Sequence, residues 1–294
     1  MASASNTFTP TAPDADTLSL VHCPAYVAAF LAGTLDGAAM RRIGLPWSER
    51  LVRRTTLGVG SAVLAARLAV QYGVAAMCNG GTHHAHRAHG SGWCIFNDLA
   101  VAARAIQRDA GVGRVLILDL DVHHGDGTAA VFAGDDSVFT FSLHCHDQAF
   151  PAQRPPSDRD AGLPAGAGDA EYAAELARHV PSILDELHPE LVLYNAGVDP
   201  HADDALGLLK LSDAGLAARD ALVFDACGAR GVPIAAAIGG GYASDHGAIV
   251  ERHVSMHAAA AAAFRSHGAR YAEAQAAKRA VRRAARLAAA ATTP

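Results

Sequence analysis

"RVLILDLDVHHGDGT", residues 114–128, decides the fold. Its first half is a short run of Val, Leu and Ile, which reads as a strand buried on both faces. Its second half sets Asp119, Asp121 and His123 at alternate positions, so in extended backbone the three share one face. Two carboxylates and an imidazole converging at a buried strand end repel and desolvate one another unless a cation joins them. A metal resolves the conflict. Mixed Asp and His ligation with one coordination position open is the catalytic type of zinc site rather than the structural type.

Outward from this stretch the chain repeats the same strand type. "GVAAMC" (73–78), "SVFTFSL" (137–143), "ELVLYNAG" (190–197) and "VPIAAAIGG" (232–240) are short, apolar and bounded. Between them run helical patterns at Glu49–Gln71, Asn97–Asp109, Asp169–Leu187 and Ser212–Arg230. Ser48 and Ser212 stand at N-cap positions, and Gly111, Gly113 and Gly231 stand where helices stop. Such alternation predicts one α/β domain, a parallel sheet flanked by helices, over residues 18–263. Residues 1–17 are small and polar and read as a disordered tail. Residues 264–294 read as a basic, Ala-rich, solvated helical extension carrying Arg265, Arg270, Lys278, Arg279, Arg282, Arg283 and Arg286 against one acid, Glu273.

In open parallel sheets, ligands bind beyond the carboxyl ends of the strands. The unusual residues all fall there. "GGTHHAHRAHGSGWCIFND" (80–98) follows the first strand and packs four histidines, His83, His84, His86 and His89, into seven positions. Asp199 follows "ELVLYNAG" and supplies a third ligand beside the Asp/His run, leaving the metal room for a water of lowered pKa. His83 and His84 become an acid–base pair, each needing a carboxylate to orient its second nitrogen, and Asp119 and Asp126 are the available partners. In "GGGYASD" (239–245) the glycines, Gly240 among them, let backbone approach the site closely and leave Tyr242 at the rim as an oxyanion donor.

Each residue taken alone has a blander reading. An Asp after a strand is most often a turn or cap residue, and a rim tyrosine most often packs. His86, His89, His144, His146, His201 and His246 read as rim or loop histidines, and Cys94 as a small buried apolar residue rather than a nucleophile. The D-x-D-x-H-H run after a buried strand, combined with a His-His loop, is far more specific.

Composition narrows the classes further. The chain has 294 residues, half of them hydrophobic, so it buries a substantial core, and its formal charge of −5 argues against a nucleic-acid binder. Only the basic C-terminal tail offers a weak phosphate or membrane contact. The five cysteines form no C-x-x-C pair and suit reduced thiols in a cytoplasm. No signal peptide and no membrane span is read.

Four ordered motifs, "GGTHHAHRAHGSGWCIFND", "LDLDVHHGDGT", "NAGVDPHADDALG" and "IGGGYASD", resemble those of the zinc-dependent histone deacetylases, over roughly Leu20 to His257. "RRIGLPWSERLVRRT" (41–55) is most similar to bacterial relatives of the class IV enzymes. The resemblance implies the arginase/deacetylase fold and hydrolysis of an N-acyl-lysine or a related amide. It implies one zinc per chain on Asp121, His123 and Asp199, with His84 paired to Asp126 as general base and acid and His83 paired to Asp119. Tyr242 becomes the oxyanion donor, Gly92 and Trp93 line the acyl-lysine channel, and Gly240 lies against the substrate. Ser142 and Leu143 match a monovalent-cation site, suited to K+, that shares Asp119, Asp121 and His123.

The sequence departs from that pattern in three places. Trp93 stands where the family usually has phenylalanine. His124 and Asp126 stand where close class IV relatives usually have Gln and Asn. The family's opening strand, with its "HRFP"-like segment, has no counterpart here. Two rivals accompany the leading reading. One is a hydrolase of acetylpolyamine or another small amide, and the other is a truncated, non-catalytic binding protein. A binuclear arginase-like centre is disfavoured by His123–His124 and the single Asp199.

Overall fold

The computed structural model describes residue 3 and residues 6–291, the positions 278, 279 and 281–291 by backbone alone. Six strands, β1 (Val74–Ala76), β2 (Val115–Asp119), β3 (Val138–Cys145), β4 (Arg159–Leu163), β5 (Leu191–Asn195) and β6 (Ile234–Ala237), form one sheet in the order β1-β6-β5-β2-β3-β4. Every pairing is parallel. Helices α1 (Ala15–Leu18), α2 (Pro24–Leu31), α3 (Gly37–Ile43), α4 (Glu49–Tyr72), α5 (Asp98–Ala110), α6 (Asp126–Phe132), α7 (Asp169–Leu187), α8 (Asp213–Ala229) and α9 (His246–Ala291) surround it. This is the single-sheet α/β architecture expected of the chain.

Strand alternation divides the core in two. Val115, Ile117, Leu191, Leu193, Ala235 and Ala237 face the layer that holds α4 and α5. Their neighbours Leu116, Leu118, Val192, Tyr194, Ile234 and Ala236 face the layer of α7, α8 and α9. Both faces are covered, so the strands are apolar throughout, as a parallel sheet requires. The helices start where their caps predict. Ser48 accepts from the Leu51 amide at 3.1 Å, Asn97 from Ala100 at 3.0 Å and Ser212 from Gly215 at 3.0 Å. Gly111 ends α5 in the left-handed conformation.

Several segments differ from the sequence reading, the helices α2, α3 and α6 among them. β4 was not expected, because "RDAGL" is an edge strand with polar residues on its outer face and no apolar run. Before residue 18, α1 forms with Asp14 capping the Thr17 amide at 2.8 Å, and Thr11 lies so close to α4 that a side chain at Gly60 would strike its carbonyl. The small residues of this segment permit that approach. At the other end α9 runs through residue 264 without a break, and Tyr271 and Gln275 are buried. The Tyr271 ring fills the space over Gly73, which holds the stretch around Tyr271 and Gln275 against the body rather than in solvent. The side chains of Lys278, Arg279, Arg282, Arg283 and Arg286 lie outside the described residues. Among those described, no helix is long and apolar enough to cross a membrane.

One buried ion pair fixes the strand ends beneath the site. Arg219 is fully enclosed, pairs with Asp220 at 2.9 Å and donates to the carbonyls of Gly197 at 2.5 Å and Ala196 at 3.3 Å. Tyr194 donates to the same Asp220 carboxylate at 2.5 Å. Replacing Arg219 by Met strands a buried carboxylate and several carbonyls, a loss of about 3–5 kcal/mol. A fall of roughly 10 °C in the thermal midpoint is expected for a chain of this size, at about 2–4 °C per kcal/mol.

Candidate active site

The carboxyl ends of β2 and β5 and the loops after β1 and β6 meet over one spot. Asp121, His123 and Asp199 offer ligand atoms that all lie within 4.8 Å of one another, and all three are buried. His123 Nδ1 is 3.1 Å from Asp121 Oδ1 and 3.2 Å from Asp199 Oδ2. Backbone holds the carboxylates in place: Gly240 N donates to Asp121 Oδ2 at 2.9 Å and Val122 N to Asp199 Oδ1 at 2.9 Å. A Cβ at Gly240 would stand 2.4 Å from Asp199 Oδ2, so only glycine lets the strand-end backbone come this near.

The electrostatics of this trio call for a cation. Asp199 Oδ2 is buried and meets only His123 Nδ1, at 3.2 Å and without the geometry of a hydrogen bond. Burial and the Asp121 charge push the Asp199 carboxyl up to about 7. Burial also opposes the Asp121 charge, but His83 and His123 outweigh it and hold that carboxyl down. For His123 burial again opposes charge, and Asp121 and Asp199 push it up to about 10. Two enclosed carboxylates that repel one another, with Asp199 Oδ2 lacking a hydrogen bond, suit a divalent ion with N and O ligands.

The histidine loop is pinned before it reaches the trio. Asp98, at the first turn of α5, accepts from the amides of Gly81 at 3.0 Å and Thr82 at 2.9 Å and from the Thr82 hydroxyl at 2.7 Å. His22 supports it from the N-terminal side, accepting from Asn97 N at 2.9 Å and donating to His86 O at 3.0 Å. His83 Nδ1 then donates to Asp119 at 2.7 Å and His84 Nδ1 to Asp126 at 2.6 Å. The two rings lie 4.0 Å apart. Their environments differ. Burial opposes charge on His83, but Asp119 and Asp121 push it up to about 9. Burial and the His83 charge hold His84 down to about 4 against the pull of Asp126. One imidazole of the pair is cationic near neutrality and the other is free to accept a proton.

The rim is aromatic. The Tyr242 ring lies 6.3 Å from His123 and 5.4 Å from Trp93, and its amide is anchored by Asp204 at 2.7 Å. Burial, followed by Asp121 and Asp199, pushes the Tyr242 phenol well up, so it remains a proton donor. Trp93 is half exposed and adopts a left-handed backbone (φ 62°), held by its amide bond to Ile43 O at 2.8 Å. Gly92 precedes it, also left-handed, and a side chain there would collide with Phe150 and with His84. Ser142 and Leu143 lie on β3, Ser142 in register with Asp119, and its hydroxyl is 3.0 Å from His144.

The trio, both His–Asp pairs, Gly92, Trp93, Gly240 and Tyr242 thus share one site. The sequence reading missed four of its members. Asn195 donates to Asp119 Oδ1 at 2.9 Å, and only the β2–β5 register puts them side by side. Gln148 lies 3.2 Å from His123 Nε2 and orients that ring. Phe150 stands edge-on to His84 at 4.7 Å, and no local pattern marks either loop residue. His86, read as a rim histidine, instead contacts Asp126 Oδ2 at 3.0 Å and stacks on His89. Cys94 is buried as expected, and its burial pushes the thiol well up, away from nucleophilic chemistry.

Comparison with known proteins places this geometry in context. The Histone deacetylase domain family model matches residues 1–261. An uncharacterized protein of Picosynechococcus is 50% identical over 253 residues, spanning 86% of this chain and 84% of its own. The polyamine deacetylase HDAC10 of Mus musculus is 33% identical over 252 residues, covering 76% of this chain. This chain spans 37% of that relative's length. In the crystal structure of the HDA15 HD domain, the match has a TM-score of 0.67 at 27% identity and covers 86% of this chain and 73% of the other.

Proposed function

The chain belongs to the histone deacetylase family, and from that premise we propose that it is a zinc-dependent amidohydrolase that removes acyl groups from N-acyl-lysine or a related amine. The observation that carries this reading is the pairing of a buried Asp121–His123–Asp199 trio, in which Asp199 Oδ2 lacks a hydrogen bond, to two differently charged His–Asp couples. A zinc held by Asp121, His123 and Asp199 supplies Lewis acidity toward an amide carbonyl and water.

The chain's own groups account for the proton and charge movements. His84, neutral at pH 7 and oriented by Asp126, takes the proton of the attacking water at Nε2 and returns it to the leaving amine. His83, kept cationic by Asp119, stabilises negative charge that develops next to it. The Tyr242 hydroxyl donates to the oxyanion as the carbonyl carbon becomes tetrahedral. Trp93, Phe150 and Gly92 bound a slot that excludes water from the side chain carrying the acyl group, with Gly240 against its reacting end. The monovalent-cation site at Asp119, Asp121, His123, Ser142 and Leu143 belongs to the same reading, and so does the class IV affinity carried by residues 41–55.

Hydrolysis of a small acetylated polyamine is the second reading, favoured by the likeness to a relative named a polyamine deacetylase. Tyr242→Phe tests the mechanism common to both. It removes only a hydroxyl, so zinc content should stay unchanged while kcat falls by about 10²–10³. Near-normal turnover in that variant would refute the oxyanion role.

A further inference from the structure

A second group of ligand-type side chains lies behind the active site and takes no part in the proposed chemistry. His124, His144 and Asp160 also bring one ligand atom each within 4.8 Å of one another. We propose that these three residues form a second, separate zinc site that joins the loop after β2 to β3 and to the edge strand β4.

The sheet itself creates the cluster. Ser142 on β3 is in register with Asp160 on β4, so the two side chains share a face, and His144, two residues on, shares it as well. His123 and His124 are adjacent and project to opposite sides: His123 into the Asp121–Asp199 pair and His124 toward Asp160. The double histidine therefore serves two places. His124 Nε2 lies 3.2 Å from Asp160 Oδ1. A tetrahedral zinc with bonds of about 2.0–2.1 Å holds its ligand atoms roughly 3.3 Å apart, so this pair already has the required spacing.

The surroundings orient each group for an ion. Ser157 N donates to Asp160 Oδ2 at 3.0 Å and leaves Oδ1 facing the histidine. The Ser142 hydroxyl engages His144 Nδ1 at 3.0 Å, which fixes the ring and leaves Nε2 for a metal, the usual arrangement around a ligating imidazole. The two imidazoles meet edge to face at 4.8 Å, and His124 turns Nε2 to Asp160, with the Ser157 hydroxyl 3.5 Å from the same nitrogen. An ion pair alone would use His124 and Asp160 and would give the enclosed His144 no reason to stand beside them. Asp160 is the solvent-facing member, so an ion enters from the β4 side and not through the active-site slot. Two nitrogens and one carboxylate suit zinc better than magnesium or calcium.

The test counts metal on the full chain, stripped with chelator and then equilibrated with zinc alone. The wild type should bind two zinc ions per chain. Asp160→Asn should bind one and keep it at the Asp121–His123–Asp199 trio, whereas Asp199→Asn should bind one and keep it at this second site. Asp160 lies on an exposed edge, so its amide variant should fold, and circular dichroism checks that it does. The double variant should bind none. One equivalent on the wild type overturns the proposal without reference to any variant. Two equivalents retained by a folded Asp160→Asn also overturn it. Because the readout is stoichiometry, loss of the proposed hydrolase activity leaves this inference standing, and its own failure leaves the hydrolase reading untouched.

Discussion

Replacing His84 by Ala should lower kcat by about 10²–10⁴, the span associated with loss of a positioned general acid–base group, while zinc content and fold remain. Two observations support the proposed assignment of proton transfer to His84 rather than to its neighbour. Burial and the His83 charge hold it down to about 4, so it is unprotonated and able to accept at pH 7, whereas His83 is pushed up to about 9 and arrives already charged. Its Nδ1 is committed to Asp126 at 2.6 Å, which leaves Nε2 for the substrate water. His83→Ala should cost less, since it removes charge stabilisation and not the transfer itself. A steady-state comparison of the two variants at matched zinc loading checks the ranking, and a larger loss at His83 would reverse the assignment.

The second large effect is expected at Asp199. Asp199→Asn keeps the volume and the Val122 amide bond to Oδ1, yet removes one of the two carboxylates facing His123. Loss of a mere supporting partner weakens a metal roughly 10–100-fold, and loss of a ligand should exceed that. Dialysed protein should then lack metal at the trio and show no measurable turnover. Stability should move the other way. Burial and Asp121 push the Asp199 carboxyl up to about 7 from an ordinary Asp value near 4. The unfolded chain therefore ionises first. The penalty of carrying this group grows as pH rises from about 4 to about 7 and is complete above that. The metal-free Asn variant should accordingly melt at a higher temperature than the metal-free wild type at pH 8. Loss of metal together with gain of apo-stability is a signature that a merely structural aspartate would not give.

The contrast between what the sequence revealed and what it hid has physical causes. Four strands, β2, β3, β5 and β6, were legible because burial on both faces forces continuous apolar runs, the edge strand β1 was legible from its own short apolar run, and Ser48 and Ser212 marked helix starts through the cap bonds they make. β4 was hidden because an edge strand owes its existence to pairing with β3, not to its own composition. The short α6 was hidden because it begins inside the Asp/His run, where ligand chemistry dominates the pattern. In the site, Asp121, His123, Asp199 and the two His–Asp couples could be named because charged groups at a buried strand end need a reason. Asn195, Gln148, Phe150 and His86 are ordinary residues whose roles exist only through register and tertiary contact.

The same reasoning explains why the trio and the second histidine cluster were not separated by sequence. His123 and His124 look like one motif, and only strand geometry sends one toward Asp199 and the other toward Asp160. The departure at position 93 gains a structural meaning too. Trp93 is held by its amide bond to Ile43 in a left-handed backbone and sets its ring beside Tyr242.

The most direct measurement is the rate of acetate release from an acetyl-lysine peptide and from an acetylated polyamine, by chelator-stripped chain and by the same chain after zinc is restored. Turnover on at least one of these substrates is predicted, absent from the stripped protein and returning when zinc is restored, with the faster substrate identifying the amine class. A folded, zinc-bound chain that hydrolyses neither, or a stripped chain that hydrolyses either one as fast as the restored protein, would contradict the account.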